Sequence, residues 1–163
     1  MKHFVFILAC LCLLPAAALA QTGISSNLLK QWSLFGASNT TLLQPDGVAA
    51  VTLKAESEAG GINQMVVLDQ IQPRAIRFSA ECKAEGVSGE PAANNFSIYI
   101  DLTHPDGTKT YSVTAPFKTG SYDWQSFSGV HTPTKPIKSL LCYVLFRKKT
   151  GKAWFRNVAL VQN

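Results

Sequence analysis

No stretch of this chain longer than two helical turns lines its apolar residues along one helical face. They fall instead in short runs that alternate with polar residues, each run closed by a turn signal. Residues 75–84 (AIRFSAECKA), 96–102 (FSIYIDL) and 140–146 (LLCYVLF) alternate most cleanly. Weaker strand patterns cover Leu28–Trp32, Thr41–Leu43, Val48–Ala55, residues 64–71, Thr110–Ala115, Gln125–Phe127 and residues 151–160 (GKAWFRNVAL). Between them stand Pro45-Asp46-Gly47, Glu58-Ala59-Gly60-Gly61, Gln72-Pro73, Gly86–Pro91, His104-Pro105-Asp106-Gly107, Gly120–Trp124 and Thr132–Pro136. Roughly eight to ten short strands spaced this way predict an all-β fold, a β-sandwich jelly roll. The last two runs, joined across Arg147–Gly151, read as a closing hairpin.

The first twenty residues lie outside that pattern. Lys2 and His3 precede the apolar run 4–14 (FVFILACLCLL), and Ala18-Leu19-Ala20 offers small residues for cleavage. This is the layout of a secretory signal peptide, too short and wrongly flanked for a membrane span. The expected organisation is a leader over residues 1–20, cut after Ala20, and one domain over 21–163. The expected localisation is secreted or periplasmic. Lys2 leaves with the leader, so fourteen basic and ten acidic residues remain, a net charge of +4. Their scatter argues against a nucleic-acid partner. The one dense cluster, Arg147-Lys148-Lys149 with Lys152, reads as a solvated turn.

Cys82 and Cys142 are the two cysteines beyond the leader. An even count in an oxidising compartment favours a disulfide. Each alternates with core residues, so each points inward. They bridge if their strands are neighbours, adding roughly 4 kcal/mol by loop closure; otherwise they are two buried thiols.

In chain order, Asn27-Leu28-Leu29 with Trp32–Gly36, Asp46-Gly47-Val48, residues 64–68 (QMVVL), 76–84 (IRFSAECKA), Asp106-Gly107, Asp123-Trp124 and 154–160 (WFRNVAL) resemble marks of the family 4/9/22 carbohydrate-binding modules. That group has a galactose-binding-domain-like jelly roll, so the resemblance implies this fold and a polysaccharide or oligosaccharide ligand. It also implies acids after the last aromatic pair that help hold a structural calcium. Arg156 and Asn157 stand there instead, with Lys30-Gln31 near the start, so no metal and no cofactor is expected.

Sugars stack their C–H faces on aromatic rings and pair their hydroxyls with planar polar groups. Residues opposite the core set face outward. On that reading Arg77, Glu81, Tyr99, Asp101 and Tyr143 line one outward face. The resemblance adds Phe35, Asn63 and Tyr111 at its rim. Trp32, Trp124 and Trp154 read as packing residues, and Arg77 with Glu81 is also compatible with a plain surface ion pair.

Catalysis finds little purchase. His104 and His131 sit beside loop prolines, where solvent exposure is expected. Glu81 and Asp101 could in principle form a carboxylate pair for glycoside chemistry. With no second domain to deepen a cleft, the expectation is no enzyme but an exported carbohydrate-binding module. The alternative is a jelly-roll module of the cell envelope that binds a protein partner and no sugar.

Overall fold

A computed structural model describes residues 27–36, 39–43, 47–90 and 92–163. The expected leader, Pro45-Asp46 of the first turn and Pro91 lie outside them. The described residues form ten strands and no helix: β1 (Ser33–Phe35), β2 (Thr40–Leu43), β3 (Val48–Leu53), β4 (Ala59–Val67), β5 (Ile76–Gly89), β6 (Phe96–Thr103), β7 (Lys109–Pro116), β8 (Gly120–His131), β9 (Ser139–Arg147) and β10 (Lys149–Gln162). They build two five-stranded sheets, ordered β1-β4-β9-β6-β7 and β2-β3-β10-β5-β8, with every pairing antiparallel. This is the expected β-sandwich.

The alternating runs point as their periodicity requires. Ile76, Phe78, Ala80, Cys82 and Ala84 from β5 are buried, as are Phe96, Ile98, Ile100 and Leu102 from β6 and Leu140, Cys142, Val144 and Phe146 from β9. A phenylalanine cluster fastens the sheets together. Phe96 packs on Phe146 at 4.8 Å, on Phe117 at 5.1 Å and on Phe155 of the opposite sheet at 6.1 Å. Phe117 continues to Phe155 at 5.3 Å and Phe127 at 5.0 Å. Burying each such ring contributes about 1.5–3 kcal/mol.

Several expectations need correction. The closing runs are not a hairpin: β9 pairs with β4 and β6, whereas β10 pairs with β3 and β5. The chain crosses between sheets at Lys148, whose φ is 49°. Lys149 is buried there, donating to the carbonyls of Gly89 and Glu90, so the basic cluster is not one solvated turn. Leu28–Trp32 is not a strand. Asn27 ties it down instead, its Nδ2 donating to the Val158 carbonyl and its Oδ1 accepting from Leu160 N at 3.0 Å.

Gly60 and Gly61 do not break a strand but lie within β4. The turn falls earlier, where Glu58 Oε2 accepts from Lys54 N at 2.6 Å. Glycine is required at this pair because a Cβ on Gly60 would stand 2.5 Å from Val51 Cγ1 and one on Gly61 2.0 Å from the Val144 carbonyl oxygen. Similarly, β5 runs on through Gly86–Gly89 and β8 includes Gly120–Trp124, with irregular register absorbing the extra residues.

His104 is buried rather than solvated. Its ring nitrogens bond to the Pro136 carbonyl at 2.8 Å and Thr110 Oγ1 at 2.9 Å, pinning the β6–β7 hairpin to the loop before β9. His131 ends β8, and burial holds its imidazole below the usual histidine range.

Cys82 and Cys142 are free thiols, so the expected disulfide is absent. Both point into the core as the alternation requires, but from opposite sheets. Cys82 lies on β5 between Phe155 and Gln125, and Cys142 on β9 between Gln64 and Ile100. Facing sheets stand about 10 Å apart, beyond the ~4.4–6.8 Å Cα separation a disulfide spans. Burial pushes both thiols up to about 12, with the Tyr122 hydroxyl, donating to Cys82 Sγ at 3.3 Å, pulling the other way.

Both thiols should therefore resist alkylation in the folded protein and react together on unfolding, which a mass-spectrometric count of alkylated cysteines checks. Their raised folded pKa values also set a pH dependence. The stability they confer is complete below the unfolded thiol range and is lost as pH rises from about 9 toward 12. Thermal melts across that window should fall less steeply in a Cys82→Ala/Cys142→Ala variant.

Candidate functional site

The outward residues of the first sheet fall into rows that cross its strands. One row joins Ser33, Asn63, Tyr143, Tyr99 and Thr114. The next joins Phe35, Gly61, Leu145, Ser97 and Pro116. Gly61 contributes no side chain, so Phe35 and Leu145 border a gap. Phe35, Tyr99, Asp101, Tyr143, Leu145 and Arg147 line a hollow of ≈ 170 Å³ there.

Its rings stand edge to face. Phe35 meets Tyr143 at 5.9 Å and 76°, and Tyr143 meets Tyr99 at 6.0 Å and 69°. Such pairs add about 0.5–1.5 kcal/mol beyond burial and hold the rings at fixed angles. Burial, with the Asp101 carboxylate and Tyr99 nearby, raises the Tyr143 hydroxyl above the usual tyrosine range. At neutral pH it is therefore a protonated donor.

Polar groups are placed around these rings. Asp101 Oδ1 accepts from Ser112 N at 3.2 Å, and Ser112 Oγ bonds to Tyr99 Oη at 3.3 Å. Ser112 has a φ of 59°, at the register shift between Ile100 and Leu102. That irregularity aims its amide at Asp101. At the far end, Arg147 places its guanidinium carbon 6.0 Å from the Tyr99 ring centroid.

Thr40 of the second sheet holds the Phe35 wall in place. Its hydroxyl donates to the Phe35 carbonyl at 2.9 Å and accepts from Gly61 N at 2.9 Å. The bare Gly60 leaves room for it, since a Cβ there would stand 2.7 Å from Thr40 Oγ1.

Of the residues expected at the site, Phe35, Asn63, Tyr99, Asp101 and Tyr143 share this face. Tyr111 is 61% exposed on the edge strand β7 and does not line the hollow. Arg77 and Glu81 are misplaced by the expectation. They project from β5, on the outer face of the other sheet, because outward alternation does not say which sheet a strand joins. Glu81 and Asp101 thus stand on opposite faces of the sandwich and cannot act as a carboxylate pair.

Glu81 does not pair with Arg77 either. It accepts from Arg156 Nε at 2.7 Å and Asn157 Nδ2 at 2.9 Å, bonds that lower its pKa, the Asn157 bond most. The Arg156 guanidinium carbon lies 4.0 Å over the Trp124 ring. Asn157, with φ 50°, sits at a register shift in β10. Trp32 packs against the core as expected, and Trp124 and Trp154 are half-buried. No group of three His, Cys, Asp or Glu gathers among the described residues.

Arg147 is the site residue that the sequence reading passed over. In sequence it opens a basic run that reads as a turn, although its place two residues after Leu145 puts it on the outward set. Larger hollows, of ≈ 400, ≈ 560 and ≈ 310 Å³, lie elsewhere. The aromatic residues of the first, Phe96 and Phe117, belong to the core, the second has none, and Phe78 in the third is again a core residue.

No family model matches the chain. Its fold is the jelly roll of solved carbohydrate-binding modules. It is similar to the CBM22-1-GH10 modules of the Clostridium thermocellum endo-1,4-beta-D-xylanase 10B, complexed with xylohexaose, at TM-score 0.58 and 13% identity over 86% of this chain and 27% of that one. It is also similar to TmCBM61 in complex with beta-1,4-galactotriose, at TM-score 0.55 and 16% identity over 85% of this chain and 100% of that one. The CBM22-1 xylan-binding domain of Paenibacillus barcinonensis Xyn10C matches at TM-score 0.52 and 13% identity, over 85% and 89% of the two chains.

By sequence, the chain is 29% identical to the tRNA3(Ser)-specific nuclease WapA of Bacillus spizizenii over 140 residues, 82% of this chain. It is 31% identical to the tRNA nuclease WapA of Bacillus subtilis over 121 residues, 69% of this chain. The chain spans only 6% and 5% of those proteins.

Thr40→Val keeps the shape but removes both bonds and leaves the buried Gly61 N–H without a partner. It should cost about 1–3 kcal/mol, read as a shift in the urea midpoint, and loosen the Phe35 wall, read as sharper ring signals or altered Tyr143 shifts by NMR.

Proposed function

We propose that this domain is an exported, non-catalytic carbohydrate-binding module that holds a glycan against the outer face of β1-β4-β9-β6-β7. The observation that carries this reading is the hollow itself. Three aromatic rings at fixed angles flank it, with a carboxylate, a guanidinium and an amide within the same few rows. Sugars require this pairing of flat apolar surface with placed polar groups. The solved modules of like fold support the reading, since those above were crystallised with, or named for, oligosaccharide or xylan. Residues 1–20 support export, and among the described residues no helix is long and apolar enough to cross a membrane.

The residues at the hollow suit binding without catalysis. Asp101 is the one carboxylate lining the hollow, and no histidine lines it. In the WapA proteins a segment like this one is a small fraction of a long chain. A binding role inside a larger assembly is consistent with that, and the nuclease activity in their names need not reside in it.

A second reading, docking of a protein partner, draws on Met65 and Val67. They are 66% and 65% exposed on the same face, beyond the tyrosine row. An apolar border of this kind is used by partners as well as by sugars.

A glycan array and an insoluble-polysaccharide pull-down decide between the two. The few stackings and hydrogen bonds available, about 0.5–1.5 kcal/mol each, place the expected affinity at roughly micromolar to millimolar. Tyr143→Ala should reduce binding about tenfold or more and, because it removes two ring–ring contacts of about 0.5–1.5 kcal/mol each, lower the melt while leaving the domain folded at the assay temperature. No glycan bound, or binding untouched by Tyr143→Ala, would sink the module reading. Binding lost instead on Met65→Ser/Val67→Ser, toward a protein and no sugar, would establish the second.

A further inference from the structure

The charges at the groove are arranged asymmetrically. Asp101 lies across from Leu141, and Arg147 lies six positions further along β9. At ~3.3 Å per residue their backbones are about 20 Å apart, with the tyrosine row between them. Both side chains reach the hollow, yet they form no ion pair with each other.

Among the described residues, Arg147 differs from the four cations that form ion pairs, and from the other unpaired ones in having a buried side-chain nitrogen with no partner. Lys83, Lys135, Lys152 and Arg156 each reach a carboxylate within 4 Å, on Asp123, Asp106, Glu85 and Glu81 respectively. Arg147 meets no carboxylate among the described residues. Its Nε is buried without a hydrogen-bond partner, as is the nearby Ser97 Oγ. The Nε side of the guanidinium has thus given up water and gained no acceptor, which costs free energy, so the charge is left to be met through its terminal nitrogens.

We propose that the Arg147 end of the groove selects an acidic glycan, one with a sugar carboxylate on the unit stacked against Tyr99 and Tyr143. The proposal rests on the carbohydrate-binding reading of the same face. A carboxylate presents two oxygens to the planar fork of arginine, and charge-assisted bonds of this kind are about twice as strong as neutral ones. Asp101 would repel the acid at the opposite end and accept hydroxyls there. The bound chain would then run in one direction, with its acid at Arg147.

The test uses pectate, alginate and glucuronoxylan fragments, each beside its carboxyl-reduced counterpart, titrated calorimetrically into the whole protein. At least one acidic form should bind about tenfold tighter than its reduced form. Arg147→Gln should bring that ratio close to one. Lys148→Gln, which changes an exposed neighbouring cation by the same charge, should leave the ratio as it is. Tyr143→Ala should weaken both forms.

Reduced glycans bound as well as acidic ones, a ratio that survives Arg147→Gln, or equal loss from Lys148→Gln would each overturn the acidic selection. Neutral glycans that bind through Tyr143 with no acid preference would do so while leaving the module reading intact. Binding of no glycan at all would remove both.

Discussion

The last two strands of the chain are the central strands of both sheets. β9 lies between β4 and β6, β10 between β3 and β5, and the only link between them is the turn at Lys148. Neither sheet is continuous until residues beyond 138 are in place. Most pairings therefore join segments far apart in sequence, the topology that folds slowly because loop closure precedes its reward. The crossing also forces a cation inside. Lys149 must follow Lys148 directly into β10, and the carbonyls at the end of β5 are there to receive its ammonium. The phenylalanine cluster packs close by, with Phe146 just before the crossing and Phe155 just after it.

The same constraint positions the groove. β9 serves two environments at once, with Leu140, Cys142, Val144 and Phe146 sealing the core and Leu141, Tyr143, Leu145 and Arg147 forming the middle of the outer face. A central strand moves little, because both edges are hydrogen-bonded, so Tyr143 has a rigid mount. The weaker wall is Phe35, on a three-residue edge strand. Thr40 compensates by reaching from the second sheet to fix both the Phe35 carbonyl and the Gly61 amide. The bare Gly60 makes that reach possible and Gly61 clears the Val144 carbonyl, which is why two residues poor in β-propensity sit inside β4.

Fold class was legible because period-two alternation directly reports which side chains are buried. It placed the inward set of β5, β6 and β9 correctly, and with it the outward Tyr99, Asp101 and Tyr143. Alternation carries no information about which sheet a strand joins. Every error of consequence comes from that gap: the hairpin that proved a crossing, the disulfide between sheets, and Arg77 with Glu81 on the wrong face. His104 was misread because proline-flanked loops are usually solvated, whereas this one is folded back so that Pro136 and Thr110 satisfy both ring nitrogens. The β4 glycines were misread as a break because their reason lies in tertiary contacts with Thr40, Val51 and Val144.

The two outer faces share ingredients and differ in how those ingredients are used. On β2-β3-β10-β5-β8, Arg156 covers the Trp124 ring, Glu81 takes Arg156 and Asn157, and Lys83 takes Asp123. Cation, aromatic and acid there satisfy one another, so a ligand would have to break bonds to make its own. On β1-β4-β9-β6-β7 the rings touch only edge to face, which leaves ring surface bordering the hollow. Asp101 has spare acceptor capacity beyond Ser112, and Arg147 has no acid partner among the described residues. Pairing within the protein and pairing with a ligand compete for the same groups. The face whose groups remain unpaired is the one on which binding adds bonds rather than exchanging them, and that difference, more than the presence of aromatics, distinguishes the groove from the surface behind it.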